Sequence, residues 1–517
     1  MKTIPDGADG GIKKKGLGSG TIGTFGAVVV WLSCCAPAYT MTAALGPAAG
    51  QVDDQLPAIF IVGFIPMFLV AMGYMALNRA MPDSGTTFTW ATRAFGPWVG
   101  WIAGWGLLAA TIIVISNTAG IAETFLFLAL SQMFHNDAIV TLGNNPLINI
   151  GVVIIFLAAA TWISHRGMQS TKGFQYVLVG IQVLVLAWFI VAAFIAANNG
   201  SNPDSIPIKP SWFNPFAVPT FADFSAGIAV SIFAYWGWDT VLTMSEETDE
   251  GAGGSSSGKA ATILILTLVT LYVLIGVATV SYAGVGTGPT GLNNPKMAEN
   301  VFAILSHPVM GWAGVFLSIA VLCSATASLQ STGLSPARTL LAMGYYKAIP
   351  AKFAEVHPKH QSPSFAILVS GVIAAAFYAG IRLVSKNALW DSITALGLLV
   401  CFYYGITAFA CVWYFRREAF QSVSAFLMKI FMPGLGGTLL FIIFIKTTIS
   451  SLDPSFGSGN EILGIGLVFI MGAGVLALGV VTMLVMAFFY RPFFRGEVLK
   501  QGTPLLQFEK QAVENRR

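Results

Sequence analysis

Apolar runs about as long as a bilayer is thick recur along the whole chain, and they constrain its fold more than any other feature. A helix needs about 20 such residues to cross the hydrocarbon. Twelve segments qualify: 18–45, 56–77, 97–132, 147–165, 170–198, 224–247, 260–286, 309–342, 364–383, 391–413, 427–449 and 461–489. In lipid every backbone polar group must be satisfied within the protein, which leaves helices or closed barrels, and segments this long select helices. The expected fold is an all-α polytopic membrane protein with 12 transmembrane helices. Composition agrees. Of 517 residues, 55% are hydrophobic and 10% charged, against about 25% charged in soluble domains.

The basic residues give a topology. Of 27 Lys and Arg, five (Lys209, Lys296, Arg382, Lys386 and Lys446) fall in segments on the face opposite the N-terminus, and the other 22 on its own face. Positive residues collect on the cytoplasmic side, so both termini are expected in the cytoplasm. The start, MKTIPDGADGGIKKKG, reads as a cytosolic tail and not as a cleaved signal peptide. The net charge of +4 says little about partners. Cys34, Cys35, Cys323, Cys401 and Cys411 all lie inside expected spans, so they read as free thiols.

Two spans carry interruptions. The sixth reads FSAGIAVSIFAYWGWDTVLTMSEE from Phe224 to Glu247. Gly237, between Trp236 and Trp238, breaks its middle, and Asp239 follows. A charge that deep in lipid needs a cavity or a partner, so Tyr235, Trp236, Gly237, Trp238 and Asp239 suggest a broken helix around a polar site. The plainer reading is a kinked span with Asp239 capping its second half. The first span is interrupted at Ser33-Cys34-Cys35-Ala36-Pro37. Pro37 removes a hydrogen bond from the carbonyl of Ser33 and suits the first position of a new half-helix. Freed carbonyls there suit a cation, and the new N-terminus suits a carboxylate. An ordinary proline kink is the alternative. The breaks lie five spans apart and so run in opposite directions, as in an inverted repeat with a ligand bound between discontinuous helices.

Other polar groups inside spans are Gln182, Asn117 and a run in the eighth span: Ser324, Thr326, Ser328, Gln330, Ser331 and Thr332. Ser324, Ser328 and Ser331 share one helical face. They read as close-packing residues or, more sharply, as part of a cation site with the first break; Gln182, Ser324 and Ser328 are the ion-coupling candidates. Glu123 falls near a span end and is given no role. His165, Glu246 and Glu247 fall at inner ends. No metal-binding or nucleotide-binding signature is present: the five histidines lack HExxH spacing, and the segment 251–258 lacks the lysine position of a phosphate-binding loop and reads as a flexible connector. No metal, cofactor or nucleic acid is expected, and the chain does not read as an enzyme.

Four features carry a family resemblance. They are FAYWGWDTVLTMSEET in the sixth span, RAMPDSGTTFTWATRAFGPWVGWIAGW between the second and third, SPARTLLAMGYYKAIPAKFAEVHPKHQSP after the eighth, and the span count. With these the chain resembles bacterial permeases of the amino acid–polyamine–organocation superfamily over most of its length. The resemblance implies two inverted five-helix repeats of leucine-transporter-like fold, 18–198 and 224–413. Two peripheral helices follow at 427–489, and tails lie at 1–17 and 490–517. It implies uptake or exchange of amino acids or related amines across the cell membrane, coupled to H+ or Na+, with a polyamine or basic amino acid exchanger as the alternative. It maps the substrate onto Ser33, Cys34, Cys35 and Ala36 and onto Phe233 to Thr240, with Phe233 as an aromatic gate. Gln182 falls where some proton-coupled members carry a lysine, and a glutamine takes up no proton. SCCAP replaces the family's glycine-rich break, and Arg338 stands alone where an arginine–aspartate pair is usual. A receptor of the same fold would need a signalling domain, and a channel would need a pore loop or charged rings; neither is evident.

Overall fold

The structure is a computed structural model describing residues 24–166, 172–247, 255–297, 300–358, 360, 362–384 and 388–499. It is almost wholly helical. In chain order the helices are α1 (Thr24–Cys35), α2 (Pro37–Val52), α3 (Leu56–Ala80), α4 (Thr87–Phe95), α5 (Pro97–Phe134), α6 (Ala138–Gly143), α7 (Pro146–His165), α8 (Lys172–Asn198), α9 (Phe221–Ala234) and α10 (Ser255–Ala283). There follow α11 (Val301–Met310), α12 (Gly314–Thr332), α13 (Leu334–Tyr345), α14 (Ser364–Val384), α15 (Ala388–Phe415), α16 (Val423–Phe426), α17 (Met432–Ser450), α18 (Leu467–Phe469), α19 (Val475–Phe489) and α20 (Arg491–Phe494).

Among the described residues, ten helical runs are long and apolar enough to cross a membrane. Twelve were expected, and the difference has two local causes. Residues Trp31–Ala80 form a single run, because α2, a turn at Asp53–Gln55 and α3 follow one another without a gap. The expected span 224–247 is not among the ten, because α9 stops after 14 residues and gives way to a tighter 3-10 helix, Trp238–Glu247. Two boundaries also differ. The span expected from 461 opens on a small antiparallel hairpin, Glu461–Ile462 with Ile465–Gly466, before helix resumes at Leu467. In the connector expected at 251–258, Ser255 already begins α10; residues 251–254 lie outside the described residues, as do the tails at 1–17 and 500–517.

Several helices start where local chemistry puts them. Pro37, Pro97 and Pro146 each open a helix, where the missing N–H costs nothing. Asn145 accepts a hydrogen bond from the Leu147 amide, and Thr220 accepts one from the Asp223 amide, capping α7 and α9.

The centre of the molecule is built from the interrupted helices. Helix α2 is buried from Pro37 to Ala49 and packs along α9, which is buried from Ser225 to Ala234. Helix α15 covers α9 from the other side and also packs on α3, α5 and α17. Its approach is close enough that a Cβ at Gly397 would meet the Ala229 carbonyl oxygen and stand 2.9 Å from its carbon. Gly397→Ala is therefore expected to lower the detergent thermal stability, with a cost of about 1–3 kcal/mol for the forced backbone shift. The 38-residue α5 is the longest element and packs against α4, α7, α12, α14, α15 and α19. Trp105 of α5 donates its indole N–H to the Val475 carbonyl at 2.9 Å, fixing α19 to it.

Candidate functional site

The first interruption is a single residue. Ala36 adopts a left-handed conformation, φ 44° and ψ 63°, which an L-residue enters only at a cost of about 1–2 kcal/mol. Pro37 offers no N–H to close the turn. Ala36 itself bonds to backbone, its amide donating to the Leu32 carbonyl and its carbonyl accepting from the Thr40 amide, and hydroxyls serve its neighbours. Thr40 Oγ1 donates to the Cys35 carbonyl at 2.7 Å, and Ser328 Oγ to the Cys34 carbonyl at 3.3 Å. Ser324 Oγ accepts from the Tyr39 amide at 3.2 Å, and the Ser33 and Ser331 hydroxyls pair at 3.2 Å. The hydroxyl face of α12 thus docks along the first break, one serine per turn.

The second interruption turns on Gly237, whose φ of 108° is out of reach for most residues. It lies directly on the first. A Cβ added there would come within 3.1 Å of the Cys34 oxygen and 3.4 Å of the Cys35 nitrogen. The two breaks therefore meet backbone to backbone in the buried centre of the protein.

The side chains of the second break fan out over four neighbours, α2, α3, α10 and α15. Phe233 stands edge-on to Tyr39 of α2 at 6.3 Å. Tyr235 donates its hydroxyl to the Phe60 carbonyl of α3 at 2.9 Å and packs on Tyr272 of α10. Trp236 donates its indole N–H to the Tyr403 hydroxyl of α15 at 2.5 Å. Trp238 packs edge-on to Tyr74 at 5.0 Å and against Tyr404 at 5.3 Å. Asp239, 2% exposed, accepts the Tyr403 hydroxyl on Oδ2 at 3.2 Å. Its Oδ1 makes no hydrogen bond and no described cation pairs with it, although the Tyr404 hydroxyl faces the same carboxylate. The acid belongs to a tyrosine cluster on α3 and α15.

Beyond this cluster, the Tyr74, Thr87 and Thr407 hydroxyls form a triangle with sides of 2.9, 2.9 and 3.1 Å, joining α3, α4 and α15. The residues that sequence reasoning missed here are Tyr39, Tyr74, Tyr403 and Tyr404. Adjacent tyrosines at 403 and 404 in the middle of an apolar span were the available signal, since a buried phenol needs a partner.

The remaining candidates are dispersed. Gln182 of α8 is fully buried and neither atom of its amide has a hydrogen-bond partner. Asn117 accepts from Ser392 Oγ at 2.9 Å, which ties α5 to α15. Thr326 bonds back to Leu322 within its own helix. Glu123 is buried and receives the Asn149 amide at 2.7 Å, while Tyr378 donates to Asn149 at 2.7 Å, a link between α5, α7 and α14. The rings of His165, His357 and His360 gather within 4.9–5.3 Å of one another. Among the described residues no group of His, Cys, Asp or Glu is placed to hold a metal. The side chains of Glu246 and Glu247 lie outside the described residues.

If the α12 serines only fill space, removing them is harmless. As hydrogen-bond partners of the break, Ser328→Ala and Ser331→Ala are each expected to cost about 1 kcal/mol of stability, read as a lowered melting temperature in detergent.

A sequence model of the amino acid permease family matches residues 22–470. The branched-chain amino acid permease BcaP of Bacillus subtilis is 24% identical over 344 residues, covering 64% of this chain and 68% of its own length. The vacuolar cationic amino acid transporter 4 of Arabidopsis thaliana is 25% identical over 340 residues, 64% of this chain and 53% of that protein. The low-affinity putrescine importer PlaP of Escherichia coli is 22% identical over 423 residues, 80% of this chain and 85% of that one.

Proposed function

The chain belongs to the amino acid permease family, within the amino acid–polyamine–organocation superfamily, as a membrane transporter and not an enzyme, and from that premise we propose that it binds amino acids or related amines where its two interrupted helices meet. The observation that carries this reading is the contact of Gly237 with the Cys34 carbonyl. Two breaks that touch gather unwound backbone and helix ends at one point, which is what recognition of an ammonium and a carboxylate requires. Ser33, Cys34, Cys35 and Ala36 form one wall, and Phe233 over Tyr39 forms the lid. Twelve spans, counted by dividing Trp31–Ala80 in two and adding the broken 224–247, form two inverted five-helix repeats with two peripheral helices. Both termini lie in the cytoplasm. Transport across the cell membrane is driven by a proton or sodium gradient.

A second reading, a carrier of polyamines or basic amino acids, is favoured by one observation. Asp239 is a buried carboxylate with a free oxygen among aromatic rings, and such surroundings suit a cation. The test for both is uptake by purified protein in liposomes. Radiolabelled neutral amino acids, basic amino acids and polyamines are supplied under imposed proton and sodium gradients. Saturable, gradient-driven accumulation is expected, and its substrate decides between the two readings. Binding without uptake or exchange across the whole panel would overturn transport in favour of a receptor.

A further inference from the structure

The segment from Met81 to Phe95 touches both interruptions through different neighbours. Toward the second, Thr87 closes the hydroxyl triangle with Tyr74 and Thr407, and Tyr74 packs on Trp238. Toward the first, the path runs through Asp83. Its carboxylate, 2% exposed, accepts the Gly85 amide and the Thr89 hydroxyl on Oδ1, both at 2.7 Å. On Oδ2 it accepts the Tyr346 hydroxyl at 2.7 Å. The first two bonds are local to the turn before α4. The third crosses 263 residues of sequence to the end of α13, which continues α12. Helix α12 is the element whose Ser328 and Ser331 hold Cys34 and Ser33.

The segment is almost wholly buried and braced by its own side chains. Thr86 holds a positive φ of 38°. Trp90 donates to the Met81 carbonyl at 2.9 Å. Arg93, 1% exposed, donates to the Met81 sulfur at 3.4 Å. A stiff element that grips two partners transmits a displacement of one to the other.

We propose that Asp83 and Tyr346 are a pair of positioning residues whose hydrogen bond holds the two interrupted helices together, and that this bond must open for the site between them to be exposed. The proposal rests on the transport reading for its purpose, since access to a buried site is what transport requires. Its geometry stands apart from that reading.

The protein carries its own reporters. Cys34 and Cys35 lie at the first break and are 3% and 2% exposed, whereas Cys323, Cys401 and Cys411 lie elsewhere on α12 and α15. The experiment is N-ethylmaleimide labelling of the full-length protein in detergent, without substrate, with each cysteine followed by peptide mass spectrometry. Tyr346→Phe keeps the ring packed on Phe88 and Tyr345 and removes only the hydroxyl. Labelling of Cys34 and Cys35 is expected to quicken about tenfold, the scale of a lost hydrogen bond to a charged group. Asp83→Asn is expected to do the same, and the double variant no more than either alone. Unchanged labelling of Cys34 and Cys35 in Tyr346→Phe would overturn the proposal. So would additive effects in the double variant, or a parallel rise at all five cysteines, which marks general loosening. Because no substrate is used, a negative uptake panel beside a positive labelling cycle sinks the transport reading and leaves the pair in place.

Discussion

Gly237→Ala is expected to abolish most transport while leaving a folded protein. Two costs act together. The φ of 108° imposes strain of about 1–3 kcal/mol on any residue with a Cβ. The Cβ must also stand 3.1 Å from the Cys34 oxygen, so one break has to move off the other by several tenths of an ångström. If the substrate binds at that junction, a loss of about 1.4 kcal/mol or more gives at least about a tenfold fall in Vmax/KM. The measurement is initial uptake rate against substrate concentration in liposomes, beside a melting curve. Wild-type uptake by Gly237→Ala would place the binding site elsewhere. The comparison with Gly397→Ala is informative, because that substitution also presses on backbone but lies outside the junction. It should lower stability and spare KM.

Asp239→Asn is the second large effect, and it should separate stability from function. The carboxylate is buried with one oxygen unbonded and no described cation beside it. Removing charge from such a position relieves a desolvation cost, so the melting temperature should hold or rise. The amide keeps the shape and can still accept from Tyr403. Uptake should nonetheless fall by about ten- to a hundredfold, the worth of a charge-assisted contact with substrate or coupling ion. Asp239→Glu, which keeps the charge and shifts it by one methylene, should retain part of the rate. Normal transport by the Asp239→Asn variant would reduce the acid to a fixture of the tyrosine cluster.

How much of this was legible in the sequence depends on what each residue does. The breaks at Pro37 and Gly237 were readable, because proline and glycine act on their own backbone and need no tertiary context. Their mutual contact was not, since it depends on how helices distant in sequence are packed. The α12 serines were readable as a face, by spacing alone, but their partners on the first break were not. Asp239 was readable as an anomaly in an apolar run. Its partners were not readable, because Tyr403 and Tyr404 are 164 and more residues away and only the packing of the helices brings them to it. Asp83 shows the limit most clearly. It sits in a loop motif that supported the family resemblance, and Tyr346 sits in another, yet nothing in either says that they bond.

Helix α5 has a mechanical consequence of its own. At 38 residues and about 1.5 Å per residue it is roughly 57 Å long, nearly twice the hydrocarbon thickness of about 30 Å. Even a tilt of about 40°, the top of the usual range, leaves its projection, about 44 Å, longer than the hydrocarbon is thick. Trp98 near one end, and Met133 and Phe134 at the other, are exposed. The helix therefore stands as a mast through both interfaces, with α4 lashed to its foot and α19 to its flank. A mismatch of this size makes bilayer thickness a variable to test: liposomes of shorter- and longer-chain lipids are expected to differ in Vmax and to share one KM.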